Sequence, residues 1–156
     1  MPSRIRPLQS DFIATMHIEV AESLFLNDTP AGWRRVDVFR GGTVVGPRLN
    51  GTILNGGSDN LLRRADAALQ ADVRLTIRTD DGAIILVTYR GVRHGPPDVM
   101  ARIAAGEAVS PDSHYLRNAP FFETGHPKYD WLNRIVTVGV GRREPTAAVY
   151  DLYEIK

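Results

Sequence analysis

Three polar side chains of this sequence form a set that can carry out acid–base chemistry: Asp59, Arg74 and Tyr89. Asp59 directly follows the turn-forming segment Gly56-Gly57-Ser58, Arg74 lies in the middle of an alternating segment, and Tyr89 ends a markedly apolar one. A carboxylate accepts or delivers a proton, and a guanidinium with a phenol holds a negative oxygen that develops during a reaction. We therefore predict these three residues as catalytic if the fold brings them to one cavity.

Each candidate also has a purely structural interpretation. Arg74 can alternate outward along its strand, and Tyr89 can be a core residue with its hydroxyl at the rim. The loop Tyr129-Asp130-Trp131 is dense in aromatic residues, but Trp131 can equally plug one end of a barrel. Glu123 can hold a turn. The sequence alone leaves both interpretations open.

The sequence gives little support for thiol, dinucleotide-dependent or metal-dependent chemistry. The chain has no Cys, which excludes disulfides, thiolate nucleophiles and Cys-based zinc sites. Gly139-Val140-Gly141 lacks the third Gly and the strand-to-helix context of a dinucleotide-binding turn. None of the four His residues is spaced as a paired ligand on a helix face, and Glu123 and His126 fall on opposite faces of a strand. We predict no metal and no cofactor.

The composition is that of a globular protein. A chain of 156 residues with 43% hydrophobic residues fits a single domain over residues 1–156 with a core of its own. The net charge is +1, from 19 basic and 18 acidic residues, which argues against a nucleic-acid or anionic-membrane surface. The segment MPSRIRPLQSDF lacks the apolar core of a signal peptide, and no apolar run approaches a membrane span. We expect a cytoplasmic protein with neither nucleic acid nor membrane as partner.

The elements that must position these side chains are mainly strands. Residues 11–20, 34–40 and 71–79 alternate between apolar and polar side chains, as half-buried strands do. Asp80-Asp81-Gly82 is a strong hairpin signal. Residues 83–89, apolar on both faces, are predicted to form a central strand that pairs with 71–79 and is buried on both sides.

One helix is expected, over Asp98–Ala105. Val99, Met100 and Ile103 form its apolar stripe, and Gly106 follows as a stop signal. We expect this helix to pack through the stripe and to cover a barrel mouth.

Further strands are predicted over residues 113–124, broken at Pro120, and over 134–142 and 146–155. Many short strands with one short helix indicate an all-β fold. The Gly-rich segment 41–60 lets strands bend sharply, which favours an antiparallel barrel over a sandwich.

Four segments stand out in order along the chain: GGTVVGPRLNGTILNGGSDN, ADVRLTIRTDDGAIILVTYRG, NAPFFETG and YDWLNRIVTVGVG. Together they resemble the signatures of the DUF3237 family, also called UPF0311, over residues 12–153. Members of that family are similar in fold to small closed antiparallel β-barrels of the lipocalin or streptavidin type. The resemblance therefore implies a barrel whose lumen or mouth holds a small ligand, and it implies no settled activity.

The same resemblance marks residues that suit a pocket. Beside the catalytic candidates, it implies substrate-binding roles for Asn60, Thr124, Tyr129, Trp131 and Asn133. The family usually carries an aromatic residue, often Trp, where this sequence has Asn60. If that ring lines the family's pocket, the pocket of this protein is roomier or more polar.

Two functions fit these observations. The first is a cofactor-independent enzyme, an isomerase, lyase, hydratase or cyclase acting on a small carbonyl-bearing or aromatic molecule. Asp59 would be its general acid or base, Arg74 and Tyr89 would hold an oxyanion, and Trp131 would form the apolar wall. The second is a protein that binds a small hydrophobic ligand without chemistry. A purely structural or oligomer-forming barrel would leave the polar set unexplained.

A catalytic Arg74 makes a structural demand. It must face inward, so Val73, Leu75 and Ile77 must face outward and expose an apolar strip. A partner subunit in a homo-oligomer, or the helix over residues 98–105, would have to cover that strip.

Overall fold

The computed structural model describes residues 4–156 and consists mainly of antiparallel strands. The strands are β1 (Ser10–Thr29), β2 (Gly32–Val45), β3 (Gly51–Ile53), β4 (Ser58–Arg63), β5 (Leu69–Thr79), β6 (Ile84–His94), β7 (Tyr115–Asn118), β8 (Phe121–Glu123), β9 (Val136–Glu144) and β10 (Ala147–Ile155). One α-helix, α1 (Pro97–Ala104), and two short 3₁₀ helices, Pro111–Ser113 and Pro127–Arg134, accompany them. The prediction of an all-β fold with one short helix is confirmed.

The strand pairings return to their starting point. Antiparallel ladders connect β1 to β2, β2 to β4, β4 to β5 and β5 to β6. They continue from β6 to β7, β7 to β9, β9 to β10 and β10 back to β1. The short β3 pairs with both β2 and β5, and β8 pairs with β6. The predicted closed antiparallel β-barrel is therefore confirmed.

The hairpin between β5 and β6 forms where the turn signal placed it. Arg78 pairs with Ile84, and Gly82 has a φ of +91°, a conformation that glycine adopts without strain. Ile85 and Val87 are fully buried, whereas Ile84 is 48% exposed. The expectation that this strand is buried on both sides is wrong, because its outer face at Ile84 is open to solvent.

The alternation of β5 decides where Arg74 points. Val73, Leu75 and Ile77 are at most 2% exposed and belong to the core inside the barrel, while Arg74 is exposed. The prediction that Arg74 points inward, while its apolar neighbours point outward and are covered by a helix or a partner subunit, is therefore wrong. Successive side chains of a strand point to opposite faces, and burying three apolar side chains is far more favourable than burying one guanidinium.

The barrel is filled with apolar side chains at the end of the β5–β6 hairpin. Ile13, Met16, Ile77 and Ile85 are fully buried there. The 3₁₀ helix Pro127–Arg134 closes this end by placing its own Leu132 in the core. We call this side of the molecule the closed end.

The predicted helix is confirmed as α1, one residue displaced from the expected bounds. Ile103 is its buried residue, Val99 and Met100 are partly buried, and Gly106 follows in the left-handed conformation with φ +78°. Helix α1 lies beside the end opposite the closed end, where Met100 and Ile103 line an opening into the barrel. In the described part of the chain, no helix has the length and apolar character that a membrane crossing requires.

Candidate functional site

A cavity enters the barrel from the α1 side. Its inner chamber has a volume of about 40 Å³ and adjoins an outer vestibule of about 1260 Å³. Arg35, Asp37, Arg93 and Arg143 line both spaces. In this arrangement the vestibule accommodates the body of a small molecule, whereas the inner chamber admits one small group of it.

Asp59 lies on the wall of the inner chamber, at a break in the sheet. The β4–β5 ladder runs to the pair Asp59 and Val73 and resumes at Leu62 and Gln70. In the gap, Asp59 Oδ1 accepts a hydrogen bond from the backbone N–H of Asp72 at 3.0 Å. This bond orients the carboxyl group and leaves Oδ2 as the oxygen available to a ligand.

The surroundings of Asp59 favour its neutral form. Burial raises its pKa to about 7, and the negative charge of Asp37 adds to the rise. The N–H of Asp72 and the positive charges of Arg93 and Arg35 act in the opposite direction without cancelling the effect. At neutral pH the carboxyl group therefore populates both protonation states, which suits a residue that must accept and return a proton.

The neighbouring Asp37 is engaged in structural contacts. Its carboxylate accepts a hydrogen bond from Ser23 Oγ at 2.6 Å and one from Arg35 Nη2 at 3.1 Å, and Arg35 Nε lies 2.9 Å from its Oδ1. Across residues 4–156, no group of three or more His, Asp or Glu side chains is arranged to hold a metal ion. Of the two carboxylates in this cavity, Asp59 has fewer protein partners and is better placed to react.

Two phenols complete the inner chamber. The rings of Tyr89 and Tyr150 lie 5.6 Å apart with an edge-on angle of 62°, and both residues are buried. Burial raises the pKa of Tyr89 well above its ordinary value, with a contribution from Tyr150. Burial and the charge of Asp59 raise the pKa of Tyr150 to about 12. Both hydroxyls stay protonated at neutral pH, and a protonated phenol is able to donate a hydrogen bond.

Two glycines of β9 create space for this cluster. A Cβ atom at Gly141 would lie 2.7 Å from the ring of Tyr150, and one at Gly139 would overlap Oδ1 of Asn118. The Gly139-Val140-Gly141 segment, which fails as a dinucleotide-binding motif, is thus explained by close packing of side chains against bare backbone.

Positive charge predominates where the chamber meets the vestibule. Burial lowers the pKa of Arg93 to about 10, assisted by the nearby charges of Arg143 and Arg35, and burial also lowers the pKa of Arg143. Within residues 4–156, the buried Nε atoms of Arg93 and Arg143 have no hydrogen-bond partner. Buried polar groups are ordinarily satisfied, so these two guanidinium groups are incompletely partnered within the protein.

The structure brings two of the predicted catalytic residues together and separates the third. Asp59 and Tyr89 share the inner chamber. Arg74 lies on the outer surface of the barrel, in a shallow groove that also includes Asn60 and Phe121. The predicted convergence of Arg74 on the Asp59 cavity is therefore wrong, and Asn60 likewise faces away from that cavity.

The remaining predicted binding residues hold the closed end. Thr124 Oγ1 donates to the carbonyl of Ile84 at 2.8 Å, and Asn133 Oδ1 accepts the N–H of Thr124 at 2.9 Å. The expectation that Thr124 and Trp131 lie near Asp59 is wrong, because the 3₁₀ helix that carries Trp131 packs across the opposite end.

The aromatic residues of that 3₁₀ helix make structural contacts as well. Trp131 stacks under the guanidinium of Arg48, 4.3 Å from the ring centre, and Tyr129 Oη donates to Asp81 Oδ1 at 2.8 Å. These contacts support the interpretation of Trp131 as a plug for one barrel end.

Sequence reasoning missed five residues that line the inner chamber: Arg35, Asp37, Arg93, Arg143 and Tyr150. In segment 34–40 the apolar Val36 and Val38 suggest one face as the inner one, yet the inward side chains are those of Arg35, Asp37 and Phe39. The sequence does contain one indication of this inner face: Arg35 and Asp37 alternate in phase with Phe39, a large aromatic residue.

Comparison with known proteins finds relatives over nearly the whole chain. A UPF0311 protein of Rhodopseudomonas palustris is 30% identical over 148 residues, which cover 95% of this chain and 97% of the relative. The crystal structure of a conserved R. palustris protein of unknown function superposes with a TM-score of 0.92 at 30% identity, covering 97% of this chain and 100% of that one. A β-barrel-like protein of Acinetobacter baumannii superposes with a TM-score of 0.85 at 35% identity, covering 99% of each chain.

One more distant relative has an activity in its name. A hydroalkoxylation enzyme of Penicillium herquei is 28% identical over 137 residues, which cover 88% of this chain and 76% of that enzyme.

The family model described as "Protein of unknown function (DUF3237)" matches residues 8–155. This match and the relatives at 30% identity cover almost all of the sequence. The chain therefore belongs to the DUF3237 family.

Proposed function

We propose that this protein is a cofactor-independent enzyme of the lyase, hydratase or cyclase kind. It adds an O–H group across a carbon–carbon double bond conjugated to a carbonyl, or catalyses the reverse elimination. The observation that carries the proposal is Asp59, a carboxyl group with a pKa of about 7 beside two buried phenols in an open cavity.

Each step of such an addition has a residue to perform it. The Asp59 carboxylate removes the proton from the attacking hydroxyl, whose oxygen bonds to the β-carbon of the conjugated system. The electron pair of the double bond forms a new double bond between the α-carbon and the carbonyl carbon, and the carbonyl π pair moves to the oxygen, where the hydroxyls of Tyr89 and Tyr150 stabilise the enolate. The protonated Asp59 then delivers its proton to the α-carbon. Atoms and electrons balance without an oxidant or reductant.

The relative from Penicillium herquei supports this choice among acid–base reactions. Hydroalkoxylation, the activity in its name, is the addition of an alcohol O–H group across a carbon–carbon double bond. A general acid–base with a pKa near neutrality and two neutral donors are the groups that such an addition requires.

The test uses enones that carry a hydroxyl group within reach of the double bond. The protein is incubated with them in D₂O, and NMR follows both ring closure and deuterium at the α-carbon. We expect catalysed closure with one deuterium incorporated. Asp59→Asn should lower turnover by about 10²-fold or more while ligand binding persists. Asp80→Asn, at the exposed hairpin turn of the closed end, is the control and should behave as the parent.

A carrier of small hydrophobic molecules gives a different result. It would bind these compounds without closure or deuterium uptake, and Asp59→Asn would change only affinity. That outcome, or an Asp59→Asn variant with full turnover, would contradict the proposed reaction.

A further inference from the structure

We propose that the molecule bound in this cavity carries a carboxylate, and that Arg93 and Arg143 hold it where the inner chamber meets the vestibule. The inference names the substrate class of the proposed enzyme. It rests on the proposed function, because it treats the bound carboxylic acid as the substrate.

The first argument is charge. Three guanidinium groups, those of Arg35, Arg93 and Arg143, line the inner chamber. Asp37 is the ion-pair partner of Arg35. Asp59 is a carboxyl group divided between its two protonation states at neutral pH, so it supplies less than one full negative charge. With three positive charges, the negative charge of Asp37 and part of one on Asp59, the groups that line the inner chamber carry a net charge between +1 and +2.

Such a charge is costly to keep in a partly buried place unless something compensates it. A carboxylate supplies one negative charge and brings the inner chamber closer to neutrality.

The second argument is that the guanidinium groups have hydrogen-bond donors without partners in the protein. The Nε atoms of Arg93 and Arg143 are buried without a hydrogen-bond partner within residues 4–156. An Arg side chain presents its N–H groups in a planar fork that matches the two oxygens of a carboxylate. Both residues line the chamber and the vestibule.

The third argument is the order of groups along the cavity. Arg93 is four residues beyond Tyr89 on the same inward face of β6, about 13 Å along the strand. Arg143 pairs with Ala148, one inward position from Tyr150 toward the vestibule. By their strand positions, Arg93 and Arg143 thus form a layer nearer the opening than the phenols and Asp59. A molecule held by its carboxylate in this layer extends its other end to Asp59.

The experiment compares acids with amides of the same shape. The full-length protein is titrated with benzoate and cinnamate and, separately, with benzamide and cinnamamide, at constant ionic strength. Calorimetry gives the affinities, and the Arg Nε–Hε NMR signals report contact. We expect each acid to bind at least about tenfold more tightly than its amide, with saturable shifts in the signals of Arg93 and Arg143.

Substitutions locate the binding groups. Arg93→Met and Arg143→Met should each weaken benzoate and cinnamate binding by about tenfold or more. Arg90→Met is the matched control, because Arg90 lies on the same strand with its side chain exposed on the outer face, and it should leave both affinities unchanged.

Thermal stability separates a ligand-binding arginine from a structural one. Without added ligand, Arg93→Met should melt at the same temperature as the parent or higher, because the substitution removes an uncompensated charge. Benzoate should raise the melting temperature of the parent and not that of the variant. If Arg93→Met does not fold, Arg93→Gln, which keeps a polar but uncharged side chain, replaces it.

Three results would overturn the inference: acids and amides that bind equally, arginine variants that bind the acids as the parent does, or no saturable shift with benzoate or cinnamate.

The Asp59→Asn variant distinguishes this inference from the proposed function. It should bind the acids at least as tightly as the parent, because a negative charge is removed from the cavity. Loss of turnover in Asp59→Asn with retained acid binding supports both proposals. If the parent protein binds the acids but catalyses no reaction, only the proposed enzymatic function is contradicted.

Discussion

Asp37 and Asp59 are directly opposed across the β2–β4 ladder, and both line the same cavity. Side chains at such paired positions have Cβ atoms about 5 Å apart, so the negative charge of Asp37 raises the pKa of Asp59. Asp37 has the partners of an ionised carboxylate, Arg35 and Ser23, whereas Asp59 has a single backbone N–H. Unequal surroundings thus give two acidic residues different roles, one held in an ion pair and one able to exchange a proton.

The first prediction concerns this pair. Asp37→Asn should lower the pKa of Asp59 below the parent's value of about 7, because a like charge is removed and Arg35 is released from its ion pair. The measurement is a ¹³C NMR titration of the Asp59 carboxyl carbon. Asp80→Asn, remote from the cavity, should leave that titration unchanged. A pKa that stays the same or rises in Asp37→Asn would show that the two carboxyl groups are not coupled.

The second prediction is a pH dependence of stability that arises from Asp59. Its pKa rises from the ordinary 3.8 to about 7 on folding, so between these values the native state binds a proton that the unfolded state lacks. The stabilisation is complete below pH 3.8, decreases as the pH rises and is lost above pH 7. The full shift corresponds to about 4 kcal/mol, and partial exposure of Asp59 reduces our expectation to about 2 to 4 kcal/mol.

The measurement is urea denaturation of the parent and Asp59→Asn at pH 4.5 and pH 8. Asn cannot ionise, so the variant should gain free energy of unfolding relative to the parent as the pH rises between these two values. A difference between the two proteins that does not change with pH would mean that the Asp59 pKa is not raised on folding.

The sequence was informative where apolar side chains mark the inside of the barrel. The pattern of β5 places Val73, Leu75 and Ile77 on one face, and the structure buries these three residues. The same alternation already offered an outward Arg74 as the structural alternative, and that alternative is correct. Asp59 and Tyr89 were found because each adjoins a strong local signal, a glycine turn and an apolar strand.

The rest of the site could not be found in this way, because the barrel interior is polar near the vestibule. A strand that presents Arg35 and Asp37 inward has the same alternation as a strand that presents them to solvent. Only the ring of neighbouring strands shows which face is inside, and that ring depends on pairings between distant segments, such as β10 with β1. A sequence pattern gives the period of alternation and not its direction.

The third prediction concerns helix α1. Ile103 is its buried residue, so Ile103→Asp places a charge against apolar neighbours and should lower the free energy of unfolding by roughly 2 kcal/mol or more. Ala101→Asp changes an exposed position of the same helix and should cost less than about 1 kcal/mol. Chemical denaturation measures both. Equal stability of Ile103→Asp and the parent would mean that α1 is only loosely attached beside the cavity.

The fourth prediction concerns the close packing at Gly139, which pairs with Asn118 across the β7–β9 ladder. An added Cβ would overlap the Asn118 side chain and approach the ring of Tyr150 to 3.2 Å. Gly139→Ala should therefore lower the free energy of unfolding by about 1 to 3 kcal/mol, as overpacking does, and it should alter the near-ultraviolet circular dichroism of the tyrosines.

Gly125 provides the matched control for this substitution. A Cβ there would have no atom within 4 Å, so Gly125→Ala should be neutral or slightly stabilising by reducing the entropy of the unfolded chain. Urea denaturation of both variants compares the same chemical change with and without the clash. If Gly139→Ala proved as stable as Gly125→Ala, with unchanged tyrosine signals, the space beside Asn118 and Tyr150 would not depend on glycine.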